Sequence, residues 1–321
     1  MSILDKHAKI VLIISIILCI FYALVSFIWT RPFLISVENH DYTNITCLFL
    51  ILTLGISHGA LDNIKGKKVL KFFGLNSILI FYLSYSFVAL SIIILWSIFS
   101  TFTLVLFLII ACYHFGKEDT EFLLNKRKIW HNFIFFSKGL LIILAPLYFH
   151  QEETINIFKL LGADSMFLLK FQNDLTWEYH KILAIILLTG YLIFFYIAIE
   201  SKEGGIHSLD FIPIVALNFT FTPLVAFTLY FCFIHSFKHS VSLINLLDKK
   251  NFKTGIKKFI NKAVPLTLIT AILFIISVYF LTNYYVLDQA IIKVIFIGLA
   301  SLTFPHILLE YLLEKNEKKR N

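Results

Sequence analysis

Five histidines lie inside long apolar runs of the sequence, where a polar side chain needs an explanation. They are His58, His114, His235, His239 and His306. A single one is most simply explained as a core histidine that hydrogen bonds a neighbouring carbonyl. Five together favour a shared site, because polar groups inside membrane spans usually face the protein interior or a functional cavity. Since imidazole binds Zn, Cu, Fe and Ni, the set predicts a metal centre, but these residues alone do not choose the metal.

Polar companions follow these histidines at helical spacing. Four pairs are separated by four residues: His58–Asp62, His114–Glu118, His235–His239 and His306–Glu310. Positions i and i+4 share a helix face, so the HxxxH pair can offer two imidazoles to one metal. A carboxylate beside a ligand histidine can accept a hydrogen bond from its second ring nitrogen. The alternative for the three carboxylates is a plain capping role at the membrane interface.

Other side chains are weaker candidates. The remaining histidines lie in loops or at the ends of apolar runs: His7, His40, His131, His150, His180 and His207. The four cysteines fall inside apolar runs and are expected as buried apolar side chains: Cys19, Cys47, Cys112 and Cys232. No carboxylate is expected to lie deep enough to be an obvious ligand. A centre of neutral histidines suits an Fe(II) ion with an open position for O2.

The elements that hold these histidines are expected to be membrane-spanning helices. The 321 residues are 59% apolar and 15% charged, against roughly 45–50% and 25% in a soluble domain. This composition excludes an ordinary soluble globule, a disordered chain and a disulfide scaffold. The apolar runs are continuous, as in 268–281, whereas an outer-membrane barrel would show alternating segments of about ten residues. The prediction is an all-α polytopic transmembrane helix bundle built from uninterrupted helices.

The chain divides into about ten predicted spans. They cover residues 9–29, 43–62, 75–97, 100–116, 130–149, 179–199, 208–221, 223–246, 262–283 and 289–313. The stretch 208–246 is too long for one span of about 20 residues. It is divided at Pro223, which lacks an N–H and clashes with the preceding turn. The whole of 1–321 is expected to form one integral membrane domain, with an extra first span at 9–29 and a core at about 43–313.

The net charge of +8 is explained by membrane topology rather than by a nucleic-acid partner. With ten spans, most of the 28 lysines and arginines lie on the same side as both termini. Since these residues gather on the cytoplasmic side, both termini are expected there, in a multi-pass protein of the cytoplasmic membrane. The segment 150–178 is then expected outside. Spans two, four, eight and ten carry the five histidines and are expected to run in the same direction.

Four motifs around the histidines resemble a known family. They are ISHGALDN (56–63), YHFGKED (113–119), YFCFIHSFKHS (230–240) and FIGLASLTFPHILLE (296–310). Together they are similar, in the same order from about residue 45 to 313, to the Brp/Blh family of bacterial β-carotene 15,15′-dioxygenases, which are integral membrane enzymes. Ser57 is a departure, because the family often has proline before the first histidine. This difference concerns local backbone more than chemistry.

The resemblance implies a non-haem iron dioxygenase that cleaves β-carotene with O2 into two all-trans-retinal molecules. It implies Fe(2+) ligands at His58, His114, His235 and His239. His306 matches a late PH motif and is an additional ligand or a supporting group, as Asp62, Glu118 and Glu310 could be. The substrate would reach an apolar slot from the bilayer. The slot candidates, chosen only because they are adjacent to the motif histidines, are Tyr113, Phe115, Phe231 and Phe233. Whether a rhodopsin accepts the retinal does not follow from the residues.

Two other functions are consistent with intramembrane histidines. A transporter or proton channel could use the helix break at Pro223 and a relay of histidine and aspartate. A di-iron membrane desaturase or hydroxylase would need about eight ligands in clustered histidine boxes. The second alternative is disfavoured, because this chain has one HxxxH and no adjacent pair of histidines.

Overall fold

The computed structural model describes residues 40–121, 131–168 and 211–318, together with scattered positions within 10–20 and 184–192. Within these ranges all regular structure is helical. We number the helices from residue 40 onward. They are α1 (His40–Leu50, Ile51–Gly55, Ile56–Leu61 and Asp62–Phe72 in succession), α2 (Ile78–Ile98), α3 (Ser100–Thr120), α4 (His131–Phe149), α5 (Gln151–Leu160), α6 (Phe211–Thr220), α7 (Pro223–Leu229, Tyr230–Ser236 and Phe237–Leu247 in succession), α8 (Phe252–Leu281) and α9 (Leu287–Lys318).

Seven of these helices are long and apolar enough to cross a membrane, namely α1, α2, α3, α4, α7, α8 and α9. Helices suit this environment because their backbone groups are hydrogen bonded internally. The helix α6 is apolar but has only ten residues. The predicted spans 9–29 and 179–199 lie largely outside the described residues. The helical prediction is confirmed, whereas the count of ten spans stays a prediction.

Burial separates an inner from an outer set of helices. The apolar window of α7 is 61% buried, whereas that of α2 or α8 is only 11% buried. The sequence of α2 is apolar on all sides, which suits a helix that faces lipid over most of its surface. The predicted ligands lie on α1, α3, α7 and α9, the four most buried of the long helices. The histidine-bearing helices therefore form the inner set, and α2 and α8 belong to the outer set.

The four histidine-bearing helices run in the same direction, as predicted. In the contacts between α1 and α9, the residue numbers increase together along both helices: Asn44–Asp288, Asp62–His306, Lys65–Glu310 and Lys68–Glu317. Those between α3 and α9 do the same, at His114–His306 and Lys117–Glu314. Those between α1 and α7 advance from Cys47–Thr228 to Gly55–Ser236. Parallel packing brings residues of distant sequence to one level of the bundle.

The prediction of uninterrupted helices is wrong at the histidine motifs. In α1 the segment Ile51–Gly55 is π-helical, and Ile56–Leu61, which carries the first motif, is a 3₁₀ helix. In α7 the segment Tyr230–Ser236 is π-helical. Such irregular turns are rare and often lie at functional sites. The two distorted segments touch, because the Ser236 hydroxyl donates a hydrogen bond to the Gly55 carbonyl over 2.8 Å.

Glycines allow α3 and α4 to meet backbone to backbone. A Cβ atom at Gly116 would lie 1.6 Å from the Phe135 carbonyl oxygen. A Cβ atom at Gly139 would lie 1.6 Å from the Cys112 carbonyl oxygen. Small residues at membrane helix crossings permit this approach. The contact lies two residues from His114 and so fixes the position of α3 near the site.

Polar segments predicted as loops are largely helical, which corrects their boundaries. Helix α1 continues to Phe72 through the predicted loop 63–74, and α8 begins at Phe252 within the predicted loop 247–261. The segment 150–178 contains α5. At about 1.5 Å per residue, helices of 30 residues exceed a hydrocarbon core of about 30 Å. Their polar turns can therefore continue beyond it. The division at Pro223 is confirmed, because α6 ends at Thr220 and Pro223 begins α7.

Candidate metal centre

Four of the five predicted histidines come together between three helices. The ring centroid of His114 on α3 lies 5.7 Å from that of His235 on α7 and 5.3 Å from that of His306 on α9. The ring centroid of His239 lies 6.0 Å from that of His306. His114, His235 and His306 are each at most 5% exposed. The predicted grouping of these histidines is therefore found in the structure.

The fifth predicted ligand, His58, has a side chain outside the described residues. Its backbone belongs to the 3₁₀ segment of α1. Four residues on, Asp62 contacts His306. The region of α1 that carries His58 thus lies beside the cluster, while the role of its imidazole rests on the resemblance.

Three carboxylates hold three of these imidazoles. The Nδ1 of His306 donates to the two carboxylate oxygens of Asp62 at 2.9 and 2.8 Å. The Nδ1 of His239 donates to Glu118 Oε2 at 2.8 Å, and the Nδ1 of His235 donates to Asp119 Oδ1 at 3.2 Å. All three hydrogen bonds join different helices. Each carboxylate therefore orients its imidazole through Nδ1, and the other ring nitrogen, Nε2, is the one that a metal ion would bind.

The same-helix pairing of His114 with Glu118 is wrong. Glu118 binds His239 across the interface instead of His114 one turn earlier. The physical reason is the parallel packing, which brings His114 on α3 and His235 on α7 to one level. One turn further along both helices, Glu118 therefore meets His239. Among the pairs whose side chains the structure describes, the histidine and carboxylate on α9 stay close on their own helix, with 3.9 Å between His306 Nε2 and Glu310 Oε1.

Asp119 is a site residue that the sequence argument missed. It is 1% exposed, and its Oδ2 accepts a hydrogen bond from the Tyr230 hydroxyl at 2.6 Å. Tyr230 and His235 are five residues apart, and in a π-helical turn such positions are bonded neighbours, so both reach the same carboxylate. The ammonium groups of Lys238 and Lys138 also interact electrostatically with Asp119. A search for acids four residues after a histidine finds Glu118, which follows His114, but does not find Asp119, which is five residues after it.

Asp62 is held from a second side by the outer helix α2. The Tyr85 hydroxyl donates to Asp62 Oδ2 at 3.0 Å and also lies 3.2 Å from the Leu302 carbonyl oxygen. Asp62 is 4% exposed, and a buried carboxylate requires such partners. Tyr85 therefore links the lipid-facing layer to the carboxylate that orients His306.

Glu310 lies closer to the histidines than the sequence suggested. One ligand atom from each of His114, His306 and Glu310 forms a group in which all separations are within 4.8 Å. Glu310 Oε1 also accepts from Lys65 Nζ at 2.5 Å. The expectation that no carboxylate lies deep enough is wrong, because a helical side chain points back toward the preceding turn. Glu310 thus reaches the level of His306.

The arrangement fits a metal ion of the type that histidines bind. In His235, His239 and His306 the Nδ1 atom is held by a carboxylate, and the Nε2 atom is buried. Metal-bound histidines almost always donate their other ring N–H in this way, which fixes the tautomer and raises ligand basicity. Ring separations of 5.3–6.0 Å are compatible with imidazoles that share one ion through bonds of about 2.0–2.1 Å, as for zinc.

Aromatic rings surround His235. Phe115 lies 4.6 Å from it between ring centroids, and Phe231 stacks on it at 5.9 Å. Of the other two slot candidates, Phe233 is 41% exposed, and the Tyr113 hydroxyl donates to Asn132 Oδ1. Phe115 and Phe231 therefore form the apolar wall of the cluster.

Comparison with known proteins identifies the family of the chain. A model of the family described as Beta-carotene 15,15'-dioxygenase matches residues 49–314. The chain belongs to this family. The Beta-carotene 15,15'-dioxygenase of Uncultured marine bacterium 66A03 is 28% identical over 269 residues, which are 82% of this chain and 90% of that protein. No solved structure matches the chain. The family confirms the predicted enzyme class, a carotenoid dioxygenase that cleaves β-carotene at its centre.

The interhelical carboxylates generate a testable prediction. Replacing Asp62 or Asp119 by asparagine keeps the size of the side chain but removes the charge that holds an imidazole. We expect iron affinity to fall by about 10–100-fold, the usual effect of losing such a partner. The measurement is competition for Fe(II) between purified protein and a chelator. Asp288→Asn is the matched control, because Asp288 also joins α1 to α9, through Asn44, without contacting a histidine. An affinity loss in the control as large as in Asp62→Asn would contradict the assignment.

Proposed function

We propose that this chain cleaves the central double bond of β-carotene with O2 to form two all-trans-retinal molecules, at an iron ion held by the histidine cluster. The observation that carries the proposal is the buried group of imidazoles oriented by carboxylates, in a chain of this dioxygenase family. Neither a transporter nor a di-iron hydroxylase is needed to explain the intramembrane polar residues.

The proposed ligands include His306 as a full member. Its Nδ1 is held by both oxygens of Asp62, and its ring lies between those of His114 and His239. His235 joins the cluster from the other side of His114. His58 completes the set on the strength of the resemblance. Glu310 is a neighbouring carboxylate that shares the level of the ligands but is engaged by Lys65.

Bound iron supplies the redox chemistry with O2 that side chains alone cannot. The protein's own contribution is position, orientation and exclusion of water. Asp62, Glu118 and Asp119 keep the imidazole Nδ1 atoms engaged as hydrogen-bond donors, so Nε2 is the ring nitrogen that would hold the ion. In the net reaction one C=C bond breaks and two C=O bonds form, so both oxygen atoms of O2 end in the aldehydes. This reaction needs no net proton transfer, and we assign none of these residues as an acid or base.

Apolar surroundings suit a hydrocarbon substrate. Phe115 and Phe231 border the cluster with ring faces and edges that offer no hydrogen bond to water. β-Carotene dissolves in the bilayer, so we place the substrate entrance between helices on the lipid side. The apolar slot itself stays a prediction.

We further propose ten spans, with both termini on the cytoplasmic side of the cytoplasmic membrane. The support is the lysine-rich ends of the described helices. Lysines cluster on the last turns of α1 and on the first turns of α8, and these ends lie toward the same side as the end of α9. Lysine and arginine favour the cytoplasmic side, which orients the cluster toward the cytoplasm.

The function is tested by expression in a host that makes β-carotene. We expect wild-type protein to bleach the host and accumulate retinal. Variants His114→Ala, His235→Ala, His239→Ala and His306→Ala should retain at most about 1% of the retinal yield, since loss of a ligand or its orientation removes the metal chemistry. The same is expected of His58→Ala. Retinal is measured by chromatography and iron by metal analysis of purified protein.

His150→Ala is the matched control for these variants. His150 is a membrane-end histidine whose Nε2 lies 2.8 Å from the Asn218 carbonyl oxygen, away from the cluster. It should keep both iron and activity. Off-centre fragments from wild-type protein would contradict central cleavage. Iron-replete, active variants at two of the four clustered positions would contradict the ligand set.

Topology is tested with reporter fusions. Alkaline phosphatase is active only outside the cytoplasm. Green fluorescent protein fluoresces in the cytoplasm but not after export across the membrane by the usual route. A fusion after residue 318 should fluoresce and lack phosphatase activity, whereas a fusion within 161–164, after α5, should show the reverse. The opposite pattern at the C-terminal fusion would overturn the proposed orientation.

A further inference from the structure

A cavity with four charged residues in its walls opens beside the histidine cluster. It has a volume of about 430 Å³ and lies between the final turns of α3 and the later turns of α9. Its walls are formed by Tyr113, His114, Lys117, Ile307, Glu310, Tyr311, Glu314 and Lys315. Lys315 and Tyr311 are exposed, whereas His114 is 5% exposed. The cavity therefore connects the protein surface with an imidazole of the cluster.

This cavity is unsuited to the carotenoid. Four of its eight lining residues carry full charges, two lysines and two glutamates. Contact with a hydrocarbon would remove water from these groups without replacing its hydrogen bonds, which is costly. A small hydrophilic solute is a better occupant. The charged residues in the walls of this cavity distinguish it from the apolar slot that the substrate requires.

His114 is the inner end of this cavity. Within the part of the chain that the structure describes, its ring contacts those of Phe115, His235 and His306, and Glu310 is a charged neighbour. Its ring nitrogens make no hydrogen bond to a described residue. A nine-tenths buried imidazole without a hydrogen bond, at the wall of a cavity, is suited to receive a cation.

Two carboxylates line the way from the surface to His114. Glu314 and Glu310 are four residues apart on α9 and so share one face of the helix. A ligand oxygen of Glu310 lies within 4.8 Å of ligand nitrogens of His114 and His306. Glu314 lies one turn further out. Carboxylate oxygens at successive levels offer a divalent cation ligands along its whole path.

Lysines occupy both carboxylates in the structure. Lys117 Nζ lies 2.9 Å from Glu314 Oε2 and 3.7 Å from Glu121 Oε2, and Lys65 binds Glu310. Glu314, the outer carboxylate, is 29% exposed in its pair with Lys117. A divalent cation attracts a carboxylate more strongly than a singly charged ammonium group does, so it can displace the ammonium group there. The ammonium groups then compete with the entering ion and slow its passage.

We propose that this cavity is the route by which Fe(II) enters the histidine centre, with Glu314 as the outer carboxylate and Lys117 as its competitor. The inference rests on the proposed function, because it assumes that the histidines bind iron. It adds a loading path and two residues that control loading without being ligands of the bound ion.

The test follows iron uptake by the purified, metal-free full chain in lipid nanodiscs. Fe(II) is added without oxygen, and the free ion is followed with a colorimetric chelator. Glu314→Gln should slow uptake by about tenfold, the low end of electrostatic effects on association rates. Lys117→Gln should accelerate uptake several-fold. Both variants should reach the same iron content as wild-type protein at saturating Fe(II).

The two variants control for each other, because they break the same ion pair from opposite sides. A purely structural role for the pair would change the uptake rate in the same direction in both. Glu317→Gln is a further control, because Glu317 on α9 pairs with Lys68 on α1 but does not line the cavity. It should take up iron at the wild-type rate.

The outcomes separate this proposal from the function on which it rests. Equal uptake rates in Glu314→Gln and Glu317→Gln overturn the loading route, as does acceleration or slowing in both Glu314→Gln and Lys117→Gln. A lower final iron content in Glu314→Gln overturns it too, because Glu314 would then belong to the bound site. Wild-type protein that takes up no iron overturns the proposed function and this route together.

Discussion

The structure depends on the cost of placing charged and polar groups inside a membrane bundle. Each carboxylate at the site must be matched, and each is matched by a residue of another helix: Asp62 by His306, Glu118 by His239 and Asp119 by His235. Removing one partner would leave a buried charge uncompensated, which is strongly destabilising. These pairs therefore favour a single register of the inner helices. The same pairs orient the imidazoles, so stability and metal binding rest on one set of contacts.

Parallel packing and local helix distortion follow from this requirement. Residues separated by 244 positions, Asp62 and His306, meet only if their helices bring them to one level. The π-helical turn in α7 places Tyr230 and His235 on one carboxylate, and the glycine contact of α3 with α4 sets the position of His114. The irregular and tightly packed parts of the bundle thus coincide with the parts that position the centre.

The sequence predicts the histidine cluster, the direction of its helices and the break at Pro223, because apolar length and charged ends constrain these features strongly. Asp119 could not be found by helical spacing, since the π-helical turn that brings Tyr230 to it is set by tertiary contacts. The partner of Glu118 was also missed, because i+4 spacing describes one helix and not its neighbour. The predicted span 289–313 already contained Glu310, but residue spacing does not show that its side chain points back toward the preceding turn and reaches the level of His306.

X-ray absorption at the iron edge of the loaded protein tests the central claim most directly. The account predicts iron bound by nitrogen and oxygen donors, with the multiple-scattering pattern of several imidazoles and no sulfur. The pattern should weaken by one imidazole in a His306 variant that still binds iron. Sulfur scattering, or a coordination sphere with fewer than three imidazoles, would contradict a centre built from the interhelical histidine cluster.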